Sequence, residues 1–381
     1  MPIPYGTVRL LATAWAGGTY QDMPETIENG AAAPAWDAPW PTDELEQVQA
    51  CPVCDGSGRE LLHDNLVDNV FFVAPGRWNL YRCTRCHSAY LDPRPNEAGI
   101  GKAYGIYYTH VAENPRADSR SPGIVRRLKL ALTNGYLNSR YGTRRQPASG
   151  LGVWLAKALP VRRQKRDAEF RYLPKPRPGQ RLLDIGCGNG DFLVNACDAG
   201  WSVTGIDTDP KAIAVATRRG LEARVGSVDL FASESACFDA ITLSHVLEHL
   251  HEPKRFLHAV HRLLKPGGVV FVDTPNIQSR GARHWGRNWR GLETPRHLLL
   301  FSQAGLLDML RASGFENIET KRRTAVRRSM YLGSLRMQMG KSPDGPEPTR
   351  LPWPMRLRLM WPVAGARDDE FLTFVAWKGR A

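Results

Sequence analysis

From Gln180 onward the chain alternates short apolar runs with amphipathic stretches, the pattern of a mainly parallel sheet with crossover helices. Arg181–Gly186 predicts a buried strand, Asp191–Ala199 a helix stopped by Gly200, and Trp201–Asp207 a second strand. Pro210–Arg219 predicts the next helix, with Asp209 as its N-cap and Gly220 as its stop. Glu222–Ser227 and Phe238–His245 read as the third and fourth strands. Glu252–Leu264 puts Phe256, Leu257, Val260, Leu263 and Leu264 on one helix face. Pro266-Gly267-Gly268 then turns the chain into strand Val269–Thr274. Ser302 caps a helix that runs to Ser313 and ends at Gly314, and Ile318–Arg322 and Phe371–Lys378 supply two last strands. The fold class expected is α/β: a doubly wound, seven-stranded, mainly parallel sheet with a small N-terminal module in front of it.

The pattern divides the chain. Residues 1–50 carry no sustained periodicity and read as disordered or loosely packed. Residues 51–110 hold a four-cysteine module, and 111–178 a basic helical connector broken by Gly135, Gly142 and Pro160. Residues 179–381 form the main domain, with a basic insertion at about 323–367. No run nears the roughly eighteen apolar residues that a membrane-spanning helix needs. Leu10–Gly17 is too weakly apolar and too poorly flanked for a signal peptide. A cytoplasmic location is expected. The net charge of +13 changes the picture of partners, because it attracts anions. Arg and Lys crowd Arg126–Arg177 and Lys321–Arg358. Gly123–Leu137, Leu151–Tyr172 and Met330–Trp361 mix them with Leu, Val, Trp and Tyr at helical spacing. Such helices can lie on an anionic membrane surface, here the inner face, or simply cover the core.

Leu183-Asp184-Ile185-Gly186-Cys187-Gly188-Asn189-Gly190 joins a buried strand to a helix. Glycines there permit positive φ and let a ligand approach the backbone. Asp207 ends the next strand, where a carboxylate can accept both hydroxyls of a ribose. The G-x-G-x-G spacing differs from the dinucleotide G-x-G-x-x-G, and no Gly-Lys-Ser/Thr follows. Asp184 would repel a phosphate but suits a ligand with an ammonium and a sulfonium, as S-adenosylmethionine has.

Cys51-x-x-Cys54 and Cys83-x-x-Cys86 can each form a tight knuckle, and together a closed tetrathiolate zinc site of structural type. His63 and His87 are surplus, since the four cysteines saturate the metal. The candidates for proton transfer follow the fourth strand: His245, Glu248 and His249. A second cluster runs from Trp285 to His297, where tryptophans could pack on a sugar or ring. Arg287, Arg290 and Arg296 could hold a phosphate or carboxylate, and Glu293 with His297 adds an acid–base pair.

The stretch from Arg181 to about Phe315, with the final strand, resembles class I S-adenosylmethionine-dependent methyltransferases. It is most similar to the branch with the ubiquinone-biosynthesis O-methyltransferases and many sugar and glycolipid methyltransferases. The glycine loop, Gly205-Ile206-Asp207, Ser244-His245-Val246-Leu247-Glu248-His249-Leu250 and Leu264-Lys265-Pro266-Gly267-Gly268 carry the likeness. The resemblance implies a Rossmann-like sheet with one antiparallel strand, Phe371–Lys378. It implies that Asp184, Gly186, Gly188 and Gly190 line the methionine part of the cofactor, that Asp207 holds the ribose and Asp229 the adenine, with Ser244 beside them. Cys51-Pro-Val-Cys54, Tyr81-Arg-Cys-Thr-Arg-Cys86, Tyr90–Pro95 and Tyr107-Tyr108 resemble the zinc-ribbon head before some bacterial methyltransferase domains, where it helps cover the substrate site.

The function expected is O-methylation of a sugar, glycolipid or small metabolite, with His245, Glu248, His249 and His297 as catalytic candidates and zinc as a structural metal. The rivals are C-methylation of a nucleotide-linked sugar, a tRNA or nucleic-acid methyltransferase, and a non-catalytic binding module. Net charge and the zinc ribbon favour the nucleic-acid reading. The absence of an Asn/Asp-Pro-Pro-Tyr motif after the fourth strand opposes it, and the intact glycine loop opposes the non-catalytic one.

Overall fold

A computed structural model of the chain describes residues 38–105, 123–345, 350–360 and 365–380. The expectations for residues 1–37, Tyr107-Tyr108 and Trp361 lie outside the described residues. The head contributes β1 (Leu45–Glu46), β2 (Arg59–Leu66), β3 (Trp78–Cys83), β4 (Ala89–Leu91) and β5 (Arg94–Pro95). The connector forms α1 (Ile124–Tyr141), α2 (Leu151–Ala158) and α3 (Pro160–Glu169). Then come β6 (Arg181–Ile185), α4 (Asp191–Ala199), β7 (Ser202–Asp207), α5 (Pro210–Arg218), β8 (Ala223–Val225) and β9 (Phe238–Ser244). They are followed by α6 (Pro253–Leu263), β10 (Leu264–Pro275), α7 (Arg280–Trp285), β11 (Leu299–Leu300) and α8 (Gln303–Ala312). The chain closes with β12 (Phe315–Lys321), α9 (Arg327–Gln338), α10 (Trp353–Met360) and β13 (Phe371–Lys378).

The main sheet has seven strands in the order β12-β13-β10-β9-β6-β7-β8. β10, β9, β6, β7 and β8 run parallel, and β13 runs antiparallel to both β10 and β12. The order reverses between β6 and β9, so their carboxyl ends open a crevice at the topological switch point. The capping residues act as read: the Asp209 side chain accepts from Lys211 N at 2.9 Å, and the Ser302 hydroxyl from Gly305 N at 3.0 Å. The central strands are buried on both faces and lack polar–apolar alternation.

Two departures concern the head. Residues 38–50, expected to be loose, carry β1, which pairs with β5. Trp40 is buried with its ring 5.3 Å from that of Trp78, an apolar contact that composition alone hides. The head sheet also takes β11 as its edge strand, giving the order β11-β4-β3-β2. Ser302 N donates to Ser88 Oγ, and Leu91 N to Leu298 O. The head is thus joined to the main fold by backbone pairing.

Candidate functional site

The glycine loop follows β6 with Gly186, Gly188 and Gly190 all at positive φ: 72°, 52° and 83°. A Cβ on Gly190 would stand 2.5 Å from Leu221 Cδ1, and one on Gly186 would stand 2.8 Å from Val246 Cγ2. Space and conformation both demand glycine there. Gly188 N donates to Asp207 Oδ2 at 2.8 Å and Asp209 N to Asp207 Oδ1 at 2.9 Å, which locks the carboxylate at the end of β7. Ser244 ends β9, and Asp229, exposed beyond β8, accepts the Ser227 hydroxyl at 2.8 Å.

Asp184 is wholly buried. One oxygen accepts from Thr242 Oγ1 at 2.8 Å and pairs with the Arg171 guanidinium, while Oδ2 has no partner among the described residues. Burial raises its pKa against the pull of Arg171 and Thr242. A ligand ammonium would fill this vacancy in hydrogen bonding, as an S-adenosylmethionine tail requires. Sequence reasoning missed Arg171, one of many arginines in a basic stretch. It sits at φ 49°, with its guanidinium 3.8 Å from the Phe192 ring centroid. A carboxylate beside the ammonium would find it.

The catalytic candidates separate. His245, at φ 56°, leaves the end of β9 and lines a cavity of about 290 Å³ with Pro275, Arg290, Glu293, Met330 and Phe371. Its Nδ1 lies 3.0 Å from Glu248 Oε1 and its Nε2 3.6 Å from Asp273 Oδ2. Burial works against charge on the imidazole, yet the Glu248 hydrogen bond and the charges of Glu248 and Asp273 outweigh it and raise the pKa. Glu248 is buried and accepts Thr274 Oγ1 at 2.8 Å. Burial alone would raise its pKa, but His245 and the neighbouring histidines bring it to about 2.

His249 and His297 are set behind this pair, with ring centroids 4.8 Å apart. His249 Nδ1 is 3.0 Å from both Tyr104 Oη and the Arg296 carbonyl, and His297 Nδ1 is 2.9 Å from the Gly291 carbonyl. Burial pushes His297 down to about 4 and leaves it neutral. Glu248, His249 and His297 bring one ligand atom each within 4.8 Å of one another, a set that could hold a divalent cation.

The tryptophans expected to meet substrate are core residues instead. Trp289 is completely buried and donates to Glu370 Oε2 at 3.0 Å, and Trp285 packs in the same cluster. They fill the space between α7, α9 and the head. Arg287 pairs with Asp64 at 3.0 Å, Arg290 with Glu293 and Asp344, and Arg296 lies 3.2 Å from the Phe71 ring centroid.

In the head, Cys51 Sγ is 3.6 Å from Cys86 Sγ, Cys54 Sγ is 3.5 Å from Cys83 Sγ, and all four sulfurs lie within 4.8 Å of one another. A tetrahedron with Zn–S arms of about 2.3 Å has edges of about 3.8 Å. The knuckles are alike: Asp55 N donates to Cys51 O and His87 N to Cys83 O, with Asp55 and His87 at φ 58° and 61°. Sharing of a proton with Cys86, and then burial, push Cys51 up, while the same contact draws Cys86 down to about 5. A divalent cation would take the place of those protons. The donor set fits zinc, and neither His63 nor His87 belongs to it.

These features define a nucleoside-type site on a doubly wound sheet. A family described as "Methyltransferase domain" matches residues 161–320. Ubiquinone biosynthesis O-methyltransferase of Paracidovorax citrulli is 36% identical over 173 residues, covering 40% of this chain and 73% of that protein. The protein of the same description from Xanthomonas oryzae pv. oryzae is 43% identical over 105 residues, covering 26% of this chain. This chain spans 44% of that relative's length. A solved S-adenosylmethionine-dependent methyltransferase from Archaeoglobus fulgidus is 16% identical with a TM-score of 0.39, covering 58% of this chain and 94% of its own. The chain belongs to the S-adenosylmethionine-dependent methyltransferases.

Proposed function

We propose that the protein methylates a hydroxyl group of a small or lipid-linked acceptor, a sugar, glycolipid or comparable metabolite, with S-adenosylmethionine as donor. The observation that carries this is the placement of His245, backed by Glu248, on a cavity at the carboxyl ends of β9 and β10, with its neighbour Val246 set against Gly186 of the glycine loop. The donor supplies an electrophilic methyl carbon on a sulfonium. Asp184 Oδ2 would take its ammonium, Arg171 its carboxylate and Asp207 the ribose hydroxyls. Asp229 and Ser244 would border the adenine and methionine portions. His245 would accept the hydroxyl proton as the acceptor oxygen bonds to the methyl carbon and the carbon–sulfur bond breaks. Glu248 fixes the imidazole and balances its charge. His249 and His297 support that wall from behind. The thiolates of Cys51, Cys54, Cys83 and Cys86 would hold zinc as a structural metal. The remaining surface charge supports a peripheral position at the inner face of a membrane.

Calorimetry with S-adenosylhomocysteine tests the donor site. Wild-type binding should be weakened at least tenfold by Asp207→Ala. Equal binding by both proteins, or binding by neither, overturns the assignment.

A further inference from the structure

We propose that α1–α3 form a docking face for an anionic lipid bilayer, and that three adjoining cavities lead from that face to His245. The acceptor is then an amphiphile, whose hydroxyl-bearing head is methylated while its apolar anchor stays with the bilayer. This rests on the methyltransferase reading above.

Charge comes first. Residues 123–166 hold eleven Arg and Lys and no Asp or Glu, so most of the chain's net +13 arises in this one stretch. Exposed apolar side chains are interleaved with them. Ile124, Val125, Leu128, Leu151, Trp154 and Val161 are 88%, 67%, 58%, 69%, 70% and 57% exposed. All eight residues of 123–130 are exposed, although the second half of α1 is anchored by buried Tyr136, Leu137 and Tyr141. α1 therefore overhangs the body of the protein.

The helices of the face are also closely crossed. A Cβ on Gly135 would come within 1.8 Å of Ser149 O, and one on Gly152 within 1.8 Å of Leu132 O. These glycines let α1 and its neighbour α2 cross in direct backbone contact. Large apolar groups set among cations on one surface match a headgroup layer, where the apolar groups enter and the cations stay with phosphate. A nucleic acid would use the cations but gain little from Ile124, Val125, Leu128 and Val161. A second copy of the chain would set two such basic surfaces against each other.

The route inward is read from shared walls. A cavity of about 360 Å³ lies among α1, α2 and α3, lined by Leu132, Tyr136 and Leu155 together with Arg162, Arg163 and Lys165. Lys165 also lines a second cavity of about 280 Å³, bounded by Glu169, Arg323 and Ser329. Ser329 in turn lines the cavity of about 290 Å³ that contains His245. α3 has ten residues and runs about 15 Å along this path. At the face the cavity wall includes Leu132, Tyr136, Leu155 and Leu159, whereas Glu293, Arg290 and Asp344 stand at the His245 end. An amphiphile whose anchor stays at the face and whose polar head reaches His245 fits that arrangement.

The test sediments the full chain with phosphatidylcholine vesicles and with vesicles containing about one third phosphatidylglycerol. Binding to the anionic vesicles should exceed binding to neutral ones at least tenfold, and fall at least fivefold at about 0.5 M salt. The variants Leu128→Asp/Trp154→Asp and Arg162→Glu/Arg163→Glu should each lose it while S-adenosylhomocysteine binding is unchanged. No sedimentation, equal binding to both vesicles, or displacement by tRNA but not by anionic lipid overturns the docking face. So does loss of a dimer in the aspartate variants, which would assign the face to a second copy. For the acceptor, labelled S-adenosylmethionine is incubated with a cell extract that is then partitioned. Label should enter the lipid fraction and be lost at least tenfold in Ser329→Trp, which narrows the route. A lipid fraction without label overturns the amphiphilic acceptor. If the wild type fails to bind S-adenosylhomocysteine, the methyltransferase reading has failed instead.

Discussion

Two stretches of this chain look alike in sequence and end in opposite environments. Residues 123–166 and residues 327–338 both mix arginine with large apolar residues at helical spacing. In the first, Leu128 and Trp154 face solvent. In the second, α9 buries Met330, Tyr331 and Met337, and even Arg327 and Arg336 are only 8% and 5% exposed. Arg336 Nε donates to Ser342 O at 2.8 Å, and Ser334 accepts from Arg290 N at 2.9 Å. The second helix closes the His245 cavity through Ser329, Met330 and Gly333. The membrane expectation for the Met330–Trp361 segment therefore does not hold for α9, which covers the core. In α10, Trp353 remains 68% exposed. An amphipathic pattern says that a helix has an apolar side; whether protein or lipid meets that side is decided by what the rest of the fold brings to it.

The sharpest way to test the buried side is to remove what holds its surroundings. Metal removal should have the largest effect, because structural zinc contributes about 10–16 kcal/mol to the folding of small sites. Elemental analysis should find about one zinc per chain, and Cys83→Ser should lose it. With the metal gone, protease should cut the head near β2 and β3. Methyl transfer should fall too, since head residue Tyr104 meets His249, and Ala103 O accepts from Arg296 at 2.6 Å. A fully active, metal-free protein would separate the head from the site.

Next in size is the cavity floor. His245→Ala should lower methyl transfer by about 10²–10⁴-fold, the usual range for a general base, with S-adenosylhomocysteine binding retained. A loss below about threefold would leave positioning alone as the source of catalysis.

A matched pair then compares the two helices directly. Met330→Asp places an unpaired charge among core residues and should cost about 3–5 kcal/mol in chemical denaturation. Leu128→Asp should stay within about 0.5 kcal/mol. Similar losses would mean that the α1 face is covered in solution, and the contrast drawn above would fail.

The sequence made much of this legible, and the part it hid has a common cause. The glycine loop, Asp207, the caps at Asp209 and Ser302 and the succession of strands and helices along the chain depend on local chemistry, and all were readable from short stretches. The tetrathiolate was readable because the two knuckles carry their own geometry. Arg171, the burial of Trp289 against Glu370, and the loan of β11 to the head arise between residues far apart in the chain. His249 and His297 were legible as chemistry but not as to place: only the fold shows that His245 reaches the cavity and that they stand behind it. The tryptophans of 285–289 misled because an aromatic residue in a polar sequence reads the same whether it meets ligand or core.

The smallest effect expected is a pH signature that only the buried helix should have. Glu370 is 1% exposed, and it accepts from Trp289 Nε1, from Gly281 N at 3.0 Å and from Ser279 Oγ at 3.3 Å. Burial raises its pKa from 4.5 to about 7, against those donors and the charge of Arg327 on α9. The folded state therefore holds a proton that the unfolded chain gives up between about pH 4.5 and 7. The resulting stabilisation is complete below about 4.5 and is lost as the pH rises through about 7, a change of about 3 kcal/mol. Glu370→Gln should flatten that slope when urea midpoints are compared across the window. Arg162→Gln/Arg163→Gln on the exposed face should leave the slope unchanged and alter only the salt dependence. A Glu370→Gln profile parallel to the wild type would show that the carboxyl stays charged throughout, held by its three donors and Arg327. The buried helix would then act on this site as a fixed positive charge rather than as part of a titrating pair.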